Sequence, residues 1–194
     1  KYLDPMFFRK PVLPLLMVEM ADGSRIPYWN TFYQEIRDTD DYHTRYLGQM
    51  DLNIKSEKVW DFYRETIKKL AGYGAKIIRL DAFAYAPKAP GRANFLNEPE
   101  TWEFLEQIHK LASPYGIRLL PEIHAGYKEK KYELIAQKGY LTYDFFLPGL
   151  ILDALYRGDG TYLEQWAKEQ IKENIHTVNM LGCHDGIPVL DLAG

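Results

Sequence analysis

The sequence predicts an α/β fold with a parallel β-sheet, and its main evidence is a set of acidic residues that follow apolar runs. The acids are Asp81, Glu122 and Asp185, which end the runs at 77–80, 117–121 and 178–184. Segments with helical periodicity separate the runs, and such alternation forms parallel sheets with right-handed connections. Because the carboxyl ends of parallel strands meet at one edge of a sheet, the acids should converge there.

The composition fits a single soluble globular domain with a real core. Of 194 residues, 46% are apolar and 26% are charged. The aromatic share of 14% is high, and core packing is favoured over a sugar-binding cleft as its explanation. The net charge of −3 without a basic stripe argues against nucleic acid as a partner. A lone cysteine, Cys183, excludes an intramolecular disulfide and favours a cytoplasmic location. We predict no membrane span, since no apolar run approaches ~20 residues.

Residues 1–51 differ from the rest and predict a small irregular subdomain, like an insertion, ahead of a catalytic core at 52–194. A hairpin is predicted from Leu15–Met20 and Ile26–Trp29, since the turn signal Asp22-Gly23 lies between these runs. The polar segment Thr39–Tyr46 is predicted to be a loop.

The first strand–helix units follow from residue 52. Ser56 is placed to cap a helix that runs to about Leu70, and the apolar segment Lys76–Phe83 then predicts a buried strand. Asn97, with Glu100 three residues later, has the spacing of a capping box and predicts the start of the next helix.

The remaining units continue the alternation to the end of the chain. The predicted elements are a strand at 117–123, a helix at 128–137, a strand at 141–146, helices at 150–156 and 162–172 broken at Gly158-Asp159-Gly160, and a strand at 177–181. Four such strands cannot close an eight-stranded barrel of ~250 residues, so the sheet is either open or part of a barrel. A first residue other than Met and an end at Ala193-Gly194, just beyond Asp185, favour a partial (β/α)8 TIM barrel of about four consecutive βα units.

Two carboxylates at facing strand ends can transfer a glycosyl group. One attacks the anomeric carbon and the other exchanges a proton, with retention of configuration when the carboxyl groups are ~5–5.5 Å apart. Arg79 lies two residues before Asp81 on the same strand face and could hold that carboxylate ionised. Glu122 follows Pro121 and an apolar run, a setting that could keep it protonated as the acid.

Other interpretations of these residues stay open. An Asp or Glu after a strand is often a helix cap or a loop residue, and His184-Asp185 could form a turn or part of a metal site. The histidines are scattered and no His-x-His motif is present, so we predict no metal. Asp144 lies inside a predicted strand, where a hydrogen-bonded structural role is favoured over a catalytic one.

Three segments resemble motifs of the α-amylase superfamily of glycoside hydrolases. Arg79–Tyr85 is similar to its nucleophile motif, Leu120–His124 to its acid/base motif, and Cys183–Asp185 to its third acidic motif. Within the superfamily the sequence most resembles the sucrose phosphorylase group. Further segments similar to that group are Tyr143-Asp144-Phe145 with Leu147-Pro148, His184–Ile187, and Gln49–Asn53. The last of these resembles the stretch that leads out of the group's inserted subdomain.

The resemblance implies a role for each residue of the donor site. Asp81 would be the nucleophile that forms a β-glucosyl-enzyme, and Glu122 the general acid/base. Asp185 would hold sugar hydroxyls and stabilise the transition state. Arg79 and His184 would bind the glucosyl unit and orient the acids.

The resemblance also implies an acceptor side, formed by Tyr85 and His124, where fructose leaves and phosphate enters. For Tyr85, a packed or solvated loop residue is an equal interpretation. The implied partners are a small sugar and inorganic phosphate as co-substrate, with no metal or organic cofactor. The segments Arg92–Glu100 and Ala125–Tyr127 depart from the group's pattern. They leave the acceptor open, so phosphorylases of sucrose 6'-phosphate or glucosylglycerate are alternatives.

Two further functions remain open beside glucosyl transfer to phosphate. A hydrolase or transglucosylase of the same superfamily would share the three acids and differ only at the acceptor side. A non-catalytic carbohydrate-binding protein on a degenerate barrel would keep the fold without the reaction. The superfamily's first motif, Asp-x-x-x-Asn-His, and its final strand are absent from these residues. We therefore expect the chain to need the remaining barrel segments of a parent protein and to be inactive alone.

Overall fold

A computed structural model describes residues 16–28, 32–37, 44–49, 51–88 and 95–187. The chain falls into two compact units. The first comprises Lys1–Thr66 and Ala84–Ile108, and the second comprises Ile67–Phe83 and His109–Gly194. The predicted boundary between residues 51 and 52 stays a prediction.

The first unit contains the predicted hairpin. Strands β1 (Leu16–Glu19) and β2 (Arg25–Tyr28) pair antiparallel, with Leu16 opposite Tyr28. In the turn, the backbone N–H and the hydroxyl of Ser24 donate to Asp22 Oδ1 at 2.9 and 2.6 Å. Gly23 has φ +80°, a conformation that glycine adopts without a steric penalty. The hairpin prediction is confirmed.

A second antiparallel pair was not predicted. Strand β3 (Phe32–Arg37) pairs with β4 (Thr44–Gln49), with Phe32 opposite Gln49. The loop prediction for Thr39–Tyr46 is therefore wrong for residues 44–46, and the rest of that segment lies outside the described residues. Backbone hydrogen bonds between the two strands form this ladder, and they need no apolar alternation in the sequence.

Two helices begin in the first unit. Helix α1 (Glu57–Gly72) begins directly after Ser56 as predicted. Helix α2 (Glu100–Ala112) begins three residues after Asn97. The Asn97 carbonyl accepts the Thr101 N–H at 2.8 Å, and its side-chain amide donates to the Pro87 carbonyl at 2.9 Å. The capping-box interpretation stays a prediction.

The second unit contains the parallel strands. Strand β5 (Ile77–Leu80) pairs in parallel with β6 (Arg118–Pro121), and β7 (Thr142–Tyr143) pairs in parallel with β8 (Thr177–Val178). The Leu141 N–H donates to Leu119 O at 3.2 Å and joins the two pairs. The strands therefore follow chain order, as the alternation predicts, although each is shorter than its apolar run.

Helices α3 (Lys131–Gln137), α4 (Leu147–Arg157) and α5 (Thr161–Lys172) complete the second unit. Helix α3 begins later than predicted because Lys130, at φ +53°, interrupts the backbone after a short 3₁₀ turn. The predicted break between α4 and α5 is confirmed, with Gly158 at φ +66°. A buried cluster packs the helices and is formed by Tyr132, Phe146, Trp166 and Ile175. No helix in the described part of the chain is long and apolar enough to cross a membrane.

Candidate active site

The register of β5 and β6 places two of the predicted catalytic acids side by side. Leu80 lies opposite Pro121, the last residues of the two strands, so Asp81 and Glu122 each come one residue after a paired position. The Glu122 N–H donates to Leu80 O at 3.1 Å and extends the ladder to the acid itself. Both carboxylates therefore leave the carboxyl ends of neighbouring parallel strands.

Arg79 joins these two carboxylates with one guanidinium group. Its Nη1 lies 2.6 Å from Asp81 Oδ1, and its Nη2 lies 2.6 Å from Glu122 Oε1. Burial alone would lower the pKa of Arg79, but the hydrogen bond and charge of Glu122 and the charge of Asp81 raise it. The guanidinium therefore stays positively charged. The predicted contact of Arg79 with Asp81 is present, and the bond to Glu122 was not predicted.

Glu122 is the buried member of the pair, with a side chain that is 10% exposed. Its second oxygen, Oε2, accepts the Ala82 N–H at 2.9 Å. Ala82 has φ +45°, a strained value for a residue with a side chain, of the kind found at functional sites. The Glu122 carboxylate thus lies in a polar setting rather than the apolar one expected, because Arg79 and the Ala82 N–H reach it from the end of β5.

His124, predicted on the acceptor side, also lies at this site. Its Nε2 is 3.9 Å from Glu122 Oε1, and its ring stacks on Phe145 with centroids 4.0 Å apart. The stacking fixes the plane of the imidazole beside the acid/base candidate.

A pocket of about 250 Å³ opens beside the bridged carboxylates. Its lining residues are Arg79, Glu122, Tyr143, Phe145, Cys183 and His184. This volume lies just below the ~300–1,000 Å³ range that is usual for small-molecule sites. The pocket therefore brings the segment that follows β8 to Arg79 and Glu122, whereas Asp81 is not among its lining residues.

Sequence reasoning assigned no site role to Tyr143 or Phe145. The available signal was their spacing, because residues i and i+2 of an extended segment share a face. Their rings are stacked 5.1 Å apart. Burial raises the pKa of Tyr143, and the charge of Arg79 opposes that effect.

His184 and Asp185 lie in a tight turn, closed by two backbone hydrogen bonds between Cys183 and Gly186 at 3.1 and 2.9 Å. His184 lines the pocket, and its Nε2 lies 3.3 Å from Asp185 Oδ2. The Asp185 side chain is 60% exposed, and its described ion pair is with His184 rather than with Arg79. Asp185 thus follows directly in sequence a residue that lines the pocket, and is not itself among the lining residues.

Ligand-type atoms of Cys183, His184 and Asp185 lie within 4.8 Å of one another. These are consecutive residues of one turn, two of them exposed, so their proximity follows from the turn itself. The expectation that no metal is used stays a prediction.

Tyr85 belongs to the first unit and is the last residue of the 3₁₀ turn Phe83–Tyr85, whose first residue belongs to the second unit. Its ring packs against Phe95 with centroids 4.8 Å apart. This contact agrees with the packed-loop interpretation, and the acceptor role of Tyr85 stays a prediction. Residues 92–94 of the divergent segment Arg92–Glu100 lie outside the described residues.

Comparisons with known proteins identify relatives along the whole chain. The chain is 54% identical over 194 residues to a sucrose 6(F)-phosphate phosphorylase of Ilumatobacter coccineus, covering 100% of the chain and 37% of that protein. It is 37% identical over 190 residues to a sucrose phosphorylase of Streptococcus mutans, covering 98% of the chain and 36% of that protein. No protein-family model matches the chain.

A solved structure gives the same result. The crystal structure of sucrose 6F-phosphate phosphorylase from Thermoanaerobacter thermosaccharolyticum superposes with a TM-score of 0.78 at 34% identity, over 97% of this chain and 35% of that one. The chain thus spans about a third of the length of the relatives it matches. The predicted fold class, a partial (β/α)8 barrel, is confirmed, as is the resemblance to the sucrose phosphorylase group.

Proposed function

We propose that this homologue of the sucrose phosphorylases is part of a retaining phosphorylase. That enzyme transfers a glucosyl unit from sucrose or a related α-glucoside to phosphate. The observation that carries the proposal is the Arg79 bridge, which holds Asp81 and Glu122 together at neighbouring strand ends beside a pocket. The names of the relatives support the choice of substrates and of phosphate as acceptor.

In the first step, an Asp81 oxygen attacks the anomeric carbon and the bond from that carbon to the leaving oxygen breaks. Glu122, which carries a proton at the start of this step, gives it to the leaving oxygen, so the products are a β-glucosyl-enzyme and the released fructose unit. The Asp81 side chain is 71% exposed and reachable, and its 2.6 Å contact with Arg79 holds the carboxylate in position.

In the second step, a phosphate oxygen attacks the same carbon and the bond to Asp81 breaks. Glu122 takes the proton that phosphate loses, and the product is α-glucose 1-phosphate. Two inversions give net retention. Asp185 and His184 would hold hydroxyls of the glucosyl unit, since His184 lines the pocket and Asp185 contacts His184. Phosphate is the co-substrate, and the proposal needs no metal or organic cofactor.

A fructose unit with a 6'-phosphate is the favoured leaving group. The relative with 54% identity is named for sucrose 6(F)-phosphate, whereas the one named for sucrose is 37% identical. His124, stacked on Phe145 and 3.9 Å from Glu122, is positioned for the acceptor side. We also propose a cytoplasmic location, because a single cysteine suits a reducing compartment.

The test uses the full-length parent protein with sucrose and with sucrose 6'-phosphate, each with and without phosphate. We expect phosphate-dependent release of the fructose product, faster from sucrose 6'-phosphate. Asp81→Asn should lower kcat by about 10³-fold or more, because it removes the nucleophile. Asp61→Asn, which changes an exposed acid paired with Arg64, is the matched control.

Each alternative has its own signature in this experiment. Equal rates with and without phosphate would identify a hydrolase or transglucosylase. No reaction with any α-glucoside, together with sugar binding, would identify a carbohydrate-binding protein on a degenerate barrel.

A further inference from the structure

One carboxylate on α5 collects three hydrogen bonds from the segment that follows the acid/base strand. Glu169 accepts from the Lys130 ammonium at 2.5 Å, from the Tyr132 hydroxyl at 2.6 Å, and from the Tyr127 hydroxyl. Lys130 also donates to the Tyr132 hydroxyl at 2.6 Å. We call Tyr127, Lys130, Tyr132 and Glu169 the Glu169 cluster.

The cluster fixes a strained turn of the chain. Lys130 has φ +53°, which is unfavourable for a residue with a side chain, and its ammonium lies 4.0 Å from the centroid of the Tyr127 ring. Burial would raise the pKa of Glu169, but the hydrogen bonds from Lys130, Tyr127 and Tyr132 lower it to about 2. The carboxylate is therefore ionised at neutral pH and remains a strong acceptor for all three donors.

The loop held by the cluster, residues 125–130, begins at His124 and so emerges directly from the candidate site. Within the loop, the Tyr127 ring packs edge-on against Phe146, with centroids 5.6 Å apart. Phe146 follows Phe145 in sequence, and His124 stacks on the Phe145 ring at 4.0 Å. The cluster is therefore connected to His124 through the loop backbone, and through the Tyr127 ring to the residue next to the stacking partner of His124.

We propose that Glu169 is a positioning residue for the second half-reaction: it fixes loop 125–130 and the orientation of His124, and thereby favours phosphate over water as the acceptor of the glucosyl unit. This inference rests on the proposed function. It goes beyond that function because it assigns the choice of acceptor to a helix residue that reaches the site only through other side chains.

The first half-reaction should depend much less on the cluster. Asp81 and Glu122 are held by Arg79 and by the Ala82 N–H, all at the ends of β5 and β6. Formation of the glucosyl-enzyme uses these groups. Capture of phosphate additionally needs an ordered acceptor side, where a small displacement of a positioning group is costly to the rate.

The experiment measures the partition of the glucosyl-enzyme between phosphate and water in the full-length protein. The readout is the ratio of glucose 1-phosphate to free glucose at fixed phosphate, together with the KM for phosphate. This ratio does not depend on how much of the enzyme is folded, so a loss of stability alone would not change it. Glu169→Gln should lower the ratio by about 10-fold and raise the KM for phosphate, with a smaller change in the rate of fructose release.

Tyr127→Phe is the second variant, because it removes one hydrogen bond to Glu169 and keeps the ring against Phe146. It should shift the ratio in the same direction and decides the question if Glu169→Gln does not fold. Glu164→Gln is the matched control, since it removes an exposed pair with Lys168 on the same helix. A wild-type ratio in the folded variants overturns the inference alone. A wild-type protein that forms no glucose 1-phosphate overturns the proposed function as well.

Discussion

Arg79 is the residue on which the candidate site depends most. Two carboxylates at neighbouring strand ends repel each other, and one guanidinium placed between them offsets that repulsion through two short ion pairs. A lysine could not replace it well, because a single ammonium lacks the planar fork that reaches two partners at once. We infer that Arg79 sets the separation of Asp81 and Glu122.

We predict that Arg79→Lys in the full-length protein lowers kcat/KM for sucrose 6'-phosphate by about 10²-fold, because both carboxylates lose their fixed positions. Steady-state kinetics on the parent protein measure the change. Arg157→Lys, at an exposed pair with Asp153, is the control and should leave kcat/KM unchanged. Wild-type kinetics for Arg79→Lys would show that the bridge has no part in the reaction.

At the residue scale, the sequence could reveal the contact within one strand and not the contacts between strands. Arg79 and Asp81 are two residues apart, and the period of a strand alone predicts their shared face. The bond from Arg79 to Glu122 depends on the register of β5 against β6, which no local pattern encodes. The spacing of Tyr143 and Phe145 predicts that they share a face, but whether that face lines the pocket depends on where β7 lies relative to β6.

Strand β5 shows that an apolar run in the sequence can be longer than the strand that forms within it. The run Lys76–Phe83 predicts eight strand residues, but β5 is limited to Ile77–Leu80, because Phe83 already belongs to a 3₁₀ turn. The apolar residues beyond the strand are buried all the same, as with Phe83 at 4% exposed. Strand β5 itself is less buried than predicted, since Ile77 is 50% exposed and Ile78, Arg79 and Leu80 are half-buried. The apolar run therefore located the strand correctly and misjudged its ends and its burial.

Helix α5 is attached to the end of β7 by a buried carboxylate. Asp144, which is 1% exposed, accepts from Trp166 Nε1 at 3.0 Å and from Gln170 Nε2 at 2.8 Å. It also accepts the Leu147 N–H of α4 at 2.9 Å. The predicted hydrogen-bonded structural role of Asp144 is therefore confirmed. All three donors are neutral, and each would lack its acceptor if the carboxylate were removed.

We predict that Asp144→Ala destabilises the parent protein by on the order of 3 kcal/mol, because buried donors would be left without partners. Asp144→Asn keeps one acceptor oxygen and should be less destabilising. Urea unfolding monitored by tryptophan fluorescence measures both, since Trp166 is itself a donor. Asp153→Asn on α4 is the control. An alanine variant as stable as the control would contradict the role given to this network.

At the scale of the whole molecule, the described part of the chain leaves large apolar side chains exposed. They include Leu155 at 76%, Tyr156 at 94%, Ile171 at 81% and Leu181 at 70%. Soluble monomers rarely expose large contiguous apolar patches. The chain also matches only 35–37% of the length of relatives that have the complete fold. The alternation of strands and helices predicted four units of a barrel correctly, but what covers these side chains could not be predicted from the same residues.

The 194 residues produced alone are expected to have little activity. The chain holds the three candidate acids, but a barrel site is built from the loops of all eight strands, and here the described parallel strands number four. We therefore expect turnover at least about 10³-fold below that of the parent protein, because the substrate would meet an incomplete wall and lose its fixed orientation. Release of fructose product, measured at matched concentrations of the isolated chain and the parent, checks this. Size-exclusion chromatography should show the isolated chain self-associating through its exposed apolar side chains. A monomeric chain with a rate near that of the parent would show that these 194 residues form a complete active site.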